Sequence, residues 1–300
     1  MDVLKIVLDE LSYLPHKVNV SLKYVDELPF SSEYDIEGYD TINKCDRYSR
    51  YWLPWTDELG AWVSADGLRV EVLVAEDSED SEITGALTIG LTSVIAATCL
   101  NVQNRVAIHA NSVSFEGLAV AFVGTSGIGK STLSTYCACQ GAGFVTDDVL
   151  MVDSKDMVHP GNPRIKLYPH TAESLGLDAR EETEYKIFFQ PQDLGATLHQ
   201  KPVPLGIIYL PAQSTNGRIC SEQIDPIPAI FKLLSEGYYA ASLLSDRPAL
   251  FDAYANLVKN TPVRRLFYPR DFSLLPEVYQ FISKEVKEHK HRSQLEVNTL

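Results

Sequence analysis

Positive charge is scarce in this sequence. Twenty-six Lys and Arg stand against forty Asp and Glu, a formal net charge of −14 at pH 7. A surface this acidic argues against DNA, RNA or an anionic membrane as the main partner, because those are met by basic patches. Long apolar runs are lacking as well. The longest, "ALTIGLTSVIAATCL" from Ala86 to Leu100, is too short to span a bilayer and is threaded with Thr and Ser. The opening "MDVLKIVLDELSYL" carries acids where a secretory signal has a basic region, so a cytoplasmic protein is expected. Cysteine is sparse: Cys45, Cys99, Cys137, Cys139 and Cys220 are odd in number, and none forms a C-x-x-C pair. That usage reads as free thiols in a reducing compartment.

What remains is ordinary globular material, 45% apolar and 22% charged over 300 residues, enough for one large or two modest domains. Residues 1–82 read as a small β-rich domain. "KVNVSLKYV" alternates like a strand, and "AWVSADGLRVEVLVAED" reads as two strands around Ala65-Asp66-Gly67. The acidic run Glu76 to Glu82 prefers solvent and marks the boundary. Residues 83–286 form the second domain, and 287–300 a polar tail expected to fray.

In the second domain, Leu87 to Leu100 reads as a buried helix. Val106 to Phe115 is a strand that turns at Glu116-Gly117 into the apolar strand "LAVAFV". A helix from Lys130 to about Gln140 follows, stopped by Gly141 and Gly143. "FVTDDVLMVD" reads as the next strand and its exit. "PLGIIYLPA" is a buried strand and "TPVRRLFYP" a late one. "IPAIFKLLSEGYYAASLL", "PALFDAYANLVKN" and "LPEVYQFISKEVKE" read as helices.

Between "LAVAFV" and the helix at Lys130 lies "GTSGIGKST". Gly124, four residues and Gly129-Lys130-Ser131 make the phosphate-loop pattern, in the strand–loop–helix setting that the motif requires. Gly124, Gly127 and Gly129 let successive backbone N–H groups point at phosphates, and the helix N-terminus adds its dipole. Lys130 brings a mobile positive charge, and the Ser131 hydroxyl suits Mg²⁺. Asp147 and Asp148 end the next strand, where one acid orders the metal's water shell and a second can take a hydroxyl proton. His109 stands fifteen residues ahead of Gly124, on a strand that folds back beside the phosphate-loop strand. "NKCD" (Asn43 to Asp46) spells a guanine-reading motif, but no apolar strand leads into it and no D-x-x-G follows the phosphate loop, so it reads as coincidence.

Taken together, the histidine strand, "GTSGIGKS" and "GAGFVTDD" resemble the catalytic domain of HPr kinase/phosphorylase, a bacterial serine kinase built on a P-loop. "HPGNPRIKLYPHTAESLGL", "PLGIIYLPA" and "PVRRLFYPRDFSLLPEV" resemble the downstream segments of HPr-kinase-like enzymes of peptide-modification clusters. Lasso-peptide precursor kinases are among these. The resemblance spans about residues 105 to 282. It implies an α/β P-loop kinase domain with a mixed β-sheet, here preceded by the small β-rich domain. ATP phosphates would be bound by Gly124, Thr125, Ser126, Gly127, Ile128, Gly129, Lys130, Ser131 and Thr132. Asp147 would be the base for an acceptor serine, His109 its hydrogen-bonding partner, Lys130 the stabiliser of the transition state, and Ser131 with Asp148 the Mg²⁺ ligands. Arg164, Lys166 and Lys186 are further sources of positive charge. The family's "RGLG"-type loop has no match, so the resemblance does not extend to HPr as acceptor or to the reverse reaction.

The expected activity is therefore an ATP- and Mg²⁺-dependent kinase of a peptide or protein serine, and kinases of this ancestry tend to assemble as homo-oligomers. Two alternatives stay open: a kinase of a small metabolite such as free serine or a sugar, and a nucleotide-sensing regulatory ATPase. Against the ATPase, the sequence has neither an LSGGQ-like signature nor an obvious glutamate to activate water.

Overall fold

A computed structural model of the chain describes residues 18–25, 28, 43–45, 50–54, 59–75, 90–178 and 186–297. These residues fall into two compact units, one drawn from Met1–Ile108 and Gly237–Tyr254, the other from His109–Glu236 and Ala255–Leu300. The acidic run Glu76 to Glu82, the Asp46 of "NKCD" and the expected boundary at residue 82 lie outside the described residues.

In the first unit, β1 (Asn19–Val25), β2 (Asn43–Cys45), β3 (Arg50–Pro54), β4 (Leu59–Ser64) and β5 (Arg69–Ala75) form a sheet in the order β1-β5-β4-β3-β2. β1 runs parallel to β5, and the other pairs are antiparallel. The β4–β5 turn is the one read from Ala65-Asp66-Gly67. There the Asp66 carboxylate accepts from Ser64 Oγ at 2.5 Å and from the Leu68 N–H at 3.0 Å. The helix expected to end at Leu100 is present as one π-helical turn, Leu91–Ile95, running into α1 (Ala96–Val102). Leu91, Val94, Ile95 and Cys99 pack with Leu53, Val63, Val72 and Val74 of the sheet. This helix, placed by sequence with the second domain, belongs to the first unit.

The second unit is built on an eight-stranded mixed sheet. Its elements are β6 (Val106–Phe115), β7 (Leu118–Val123), α2 (Lys130–Cys139), β8 (Gly143–Thr146), β9 (Val149–Val152), β10 (Met157–His159), β11 (Ile165–Leu167), α3 (Pro169–Ser174), β12 (Ile187–Phe189), β13 (Val203–Gln213), β14 (Cys220–Gln223), α4 (Pro226–Ser235), β15 (Val263–Tyr268) and α5 (Leu275–Val297). β11 and β12 pair as a separate ribbon. The main order is β10-β9-β6-β7-β13-β15-β14, with β8 also on β6. β7, β13 and β15 are parallel neighbours, so their C-terminal ends share one edge, where ligands of open α/β sheets are bound.

The alternation of these strands explains the core. Val113 and Phe115, Val120 and Phe122, Ile207 and Tyr209, Leu266 and Tyr268 stand two apart, so each pair faces the same side of the sheet. Leu133 and Cys137 of α2, and Leu275, Val278, Ile282 and Val286 of α5, repeat at helical spacing and cover that face. Each fully buried Leu, Ile or Phe contributes about 1.5–3 kcal/mol by removal from water. Cys137 is buried and Cys139 half-buried, as two positions on different faces of one helix should be, and both thiols are free.

Two expectations need correction. The polar tail is helical: α5 continues through Val297, where fraying from residue 287 was expected. The run "FVTDDVLMVD" is two strands, not one, because the chain breaks at Asp147-Asp148, with Asp148 in the left-handed region at φ 66°. Among the described residues no helix is long and apolar enough to cross a membrane.

Candidate active site

The phosphate loop leaves the C-terminal end of β7 and enters α2. Gly129 caps the helix at φ 105°, ψ 8°, a conformation that costs any residue with a Cβ. A Cβ there would also run into the Tyr268 hydroxyl at the end of β15. Lys130 is buried at 5% exposure and donates to Gly124 O at 2.5 Å and Thr125 O at 3.1 Å. The ammonium is thus folded onto the loop's own carbonyls. Burial lowers its pKa, and Glu236 and Asp148 work in the opposite direction.

The acid pair is split by the break in the strand. Asp147 turns inward, 5% exposed, and accepts from the Lys166 N–H at 3.0 Å and from the Asn111 side-chain amide. The same amide lies 3.3 Å from Ser131 Oγ and 3.2 Å from Ser134 Oγ. Asn111 therefore ties the buried acid to the first turn of α2. Asp148 turns the other way, into the cavity. Its Oδ2 is 2.5 Å from Lys166 Nζ, and its Oδ1 is 3.8 Å from His109 Nε2. Sequence reasoning gave His109 to Asp147. The structure pairs it with Asp148, while Asp147 goes to Asn111, two residues further along the same strand.

These positions set the charge states. Burial, reinforced by the Asp148 carboxylate, pushes Asp147 well above the ordinary carboxylate range. For Asp148 burial acts upward too, but Lys166 and then His109 prevail and hold it below its ordinary value. Burial, and then the Lys130 charge, bring His109 down to about 4, against the upward pull of Asp148. At neutral pH the histidine is uncharged.

One cavity of about 280 Å³ collects most of the residues singled out by sequence. Its floor is the loop from Ser126 through Thr132, one wall carries His109, Asp148, Lys166 and Lys186, and another carries Tyr268, Arg270 and Phe272. Lys166 and Lys186 are thereby placed at the site; Arg164 is not on its wall. Sequence reasoning missed Asn111. Its signal was there, since it stands two residues from His109 on one strand and so faces the same side. It also passed over Tyr268 and Phe272, which no motif marks.

The residues suit Mg²⁺. The side-chain oxygen of Asn111 is buried with no hydrogen-bond partner among the described residues, beside a hydroxyl and a carboxylate. All of these are hard oxygen donors. Among the described residues no group of three or more His, Cys, Asp or Glu is placed to hold a metal ion. A magnesium site fits that finding, because it needs only one or two carboxylates beside substrate phosphates.

No protein-family model matches the chain, and no curated protein matches it. Among solved structures it is similar to the HPr(Ser) kinase/phosphatase from Coxiella burnetii, with 14% identity and a TM-score of 0.33 over 64% of this chain and 95% of that one. A likeness at that score bears no weight for fold or function. The kinase reading therefore rests on the motifs and on the geometry of the cavity.

Proposed function

We propose that this chain is an ATP-dependent P-loop kinase of the HPr-kinase type, transferring the γ-phosphate to a serine-type hydroxyl of a peptide or protein. The observation that carries the reading is the opening of the Asp148–His109–Lys166 cluster into the same cavity as the phosphate loop. A carboxylate so placed can take a proton from water as well as from an alcohol, so the acceptor dependence tested below separates the kinase from a regulatory ATPase. A ribosomally made precursor peptide is the acceptor we favour, from the resemblance of the downstream segments.

The roles follow from placement. The loop N–H groups and the α2 N-terminus cradle the β- and γ-phosphates. Lys130 exchanges its loop carbonyls for phosphate oxygens. Ser131, with Asp147 reached through Asn111, would hold Mg²⁺, which when bound would offset charge on the transferring group. The acceptor hydroxyl meets Asp148, which is on the cavity wall, in preference to the buried Asp147. This exchanges the roles that sequence gave the two acids. A carboxylate held ionised by Lys166 can orient the hydroxyl and take its proton late, since the loose transition state asks little base strength. Neutral His109 fixes the carboxylate's position.

The test is ADP formation by the full chain with Mg·ATP, with and without serine-containing peptides. Acceptor should raise the rate, and Asp148→Asn should lower the stimulated rate by about 10²–10⁴-fold while ATP still binds. Steady hydrolysis that no acceptor changes would replace the kinase with the ATPase.

A further inference from the structure

The cavity has two ends. Asp147 and Asp148 arrive on the β6 side of β7, and β13 and β15 lie on its other side. A triphosphate whose γ end meets Asp148 and His109 must extend across the loop toward β15. There Tyr268 abuts Gly129, and the next residues, Arg270, Asp271 and Phe272, line the same cavity.

Phe272 is 38% exposed, and among the described residues no aromatic ring stacks on it. Its turn is fixed: the Asp271 carboxylate accepts from the Ser273 N–H at 2.9 Å and from its hydroxyl at 2.7 Å, just before α5 begins. Ile128 and Leu275 add apolar surface to the same cavity. The competing ring, Tyr168, already stacks on His170 at 5.8 Å and takes the Lys186 ammonium at 5.4 Å.

From this we infer that Phe272 is the platform on which the nucleotide base stacks, making the loop after β15 the base-recognition element. The inference rests on the kinase reading above and deepens it. Base–aromatic stacking is sequence-tolerant, so the platform accepts any base, and discrimination among bases falls to the polar groups of Arg270 and Asp271.

The experiment is calorimetric binding of ATP and of inorganic tripolyphosphate to the full chain, wild type, Phe272→Ala, Phe272→Leu and Phe272→Tyr. Tripolyphosphate has the charge but no base. Wild type should bind ATP more tightly than tripolyphosphate. Phe272→Ala and Phe272→Leu should lose about tenfold or more for ATP and nothing for tripolyphosphate, and Phe272→Tyr should keep both. Equal wild-type affinities, an unchanged ATP affinity in Phe272→Ala, or equal losses for both ligands would each overturn the base platform while leaving the phosphate site standing. Failure of wild type to bind either ligand would instead remove the kinase reading and the inference with it.

Discussion

Gly129→Ala puts the link between the phosphate loop and β15 under direct strain. Gly129 sits at φ 105°, where an L-residue is disfavoured, and a Cβ there runs into the Tyr268 hydroxyl. The backbone contributes about 1–3 kcal/mol of destabilisation. The clash adds about 1–3 kcal/mol, since Tyr268 is itself packed at 5% exposure among the core residues and cannot swing clear. The sum, about 2–6 kcal/mol, should lower Tm by about 4–24 °C for a unit of this size. The two parts are separable. The ring carbon that bears the hydroxyl would stand 3.8 Å from the new Cβ, an ordinary contact, so Tyr268→Phe removes the clash and leaves the strain. In the Tyr268→Phe background Gly129→Ala should therefore cost only about 1–3 kcal/mol. Chemical unfolding of the four proteins of this double-mutant cycle measures both. An equal cost in the two backgrounds, or a cost under about 1 kcal/mol in the wild-type background, would refute the reasoning.

His109, held down at about 4 against an ordinary 6.5, binds its proton more readily unfolded than folded. Its contribution to stability is therefore complete above pH 6.5 and is lost as pH falls toward 4, on the order of 3 kcal/mol in all. NMR titration should place its midpoint below 5, and His109→Gln should flatten that part of the stability–pH curve; a midpoint near 6.5 would contradict the burial argument. Asn111→Ala removes the amide that ties Asp147 to Ser131 and Ser134. Denaturant unfolding should show a loss of about 1.5–3 kcal/mol at pH 8, where Asp147 is most in need of a donor, and a smaller loss at pH 5. An equal loss at both pH values would mean that the amide serves packing alone.

Much of the second unit was legible because its signals are local. The phosphate loop is a spacing, the β6–β7 hairpin is announced by Glu116-Gly117, and the strands around it alternate in hydrophobicity. The acid pair was legible as residues but not as geometry. Which of two adjacent carboxylates faces the cavity is set by partners distant in sequence, Asn111 and Lys166, and not by the pair itself. β10, β11, β12 and β14 are three or four residues long, too short to show a period, and are set by their partners across the sheet. The length of α5 was missed for the opposite reason. Past Val286 its sequence is mostly polar, yet Lys290 reaches the Glu116 carbonyl at 2.7 Å and Lys287 its carboxylate at 3.4 Å, tertiary anchors that composition hides. Phe272 lies outside any motif and became visible only when the sheet brought its edge together, whereas Asn111 was within reach of the sequence through its two-residue spacing from His109 on one strand.

The central claim is that the terminal phosphate goes to a hydroxyl. The most direct test is the intact mass of serine-containing peptides after incubation with the full chain and Mg·ATP, beside free serine and the Asp148→Asn variant. The account predicts peptides heavier by one phosphoryl group on serine with wild type and unmodified peptides with Asp148→Asn. Stoichiometric ADP and inorganic phosphate with every acceptor unmodified would contradict it.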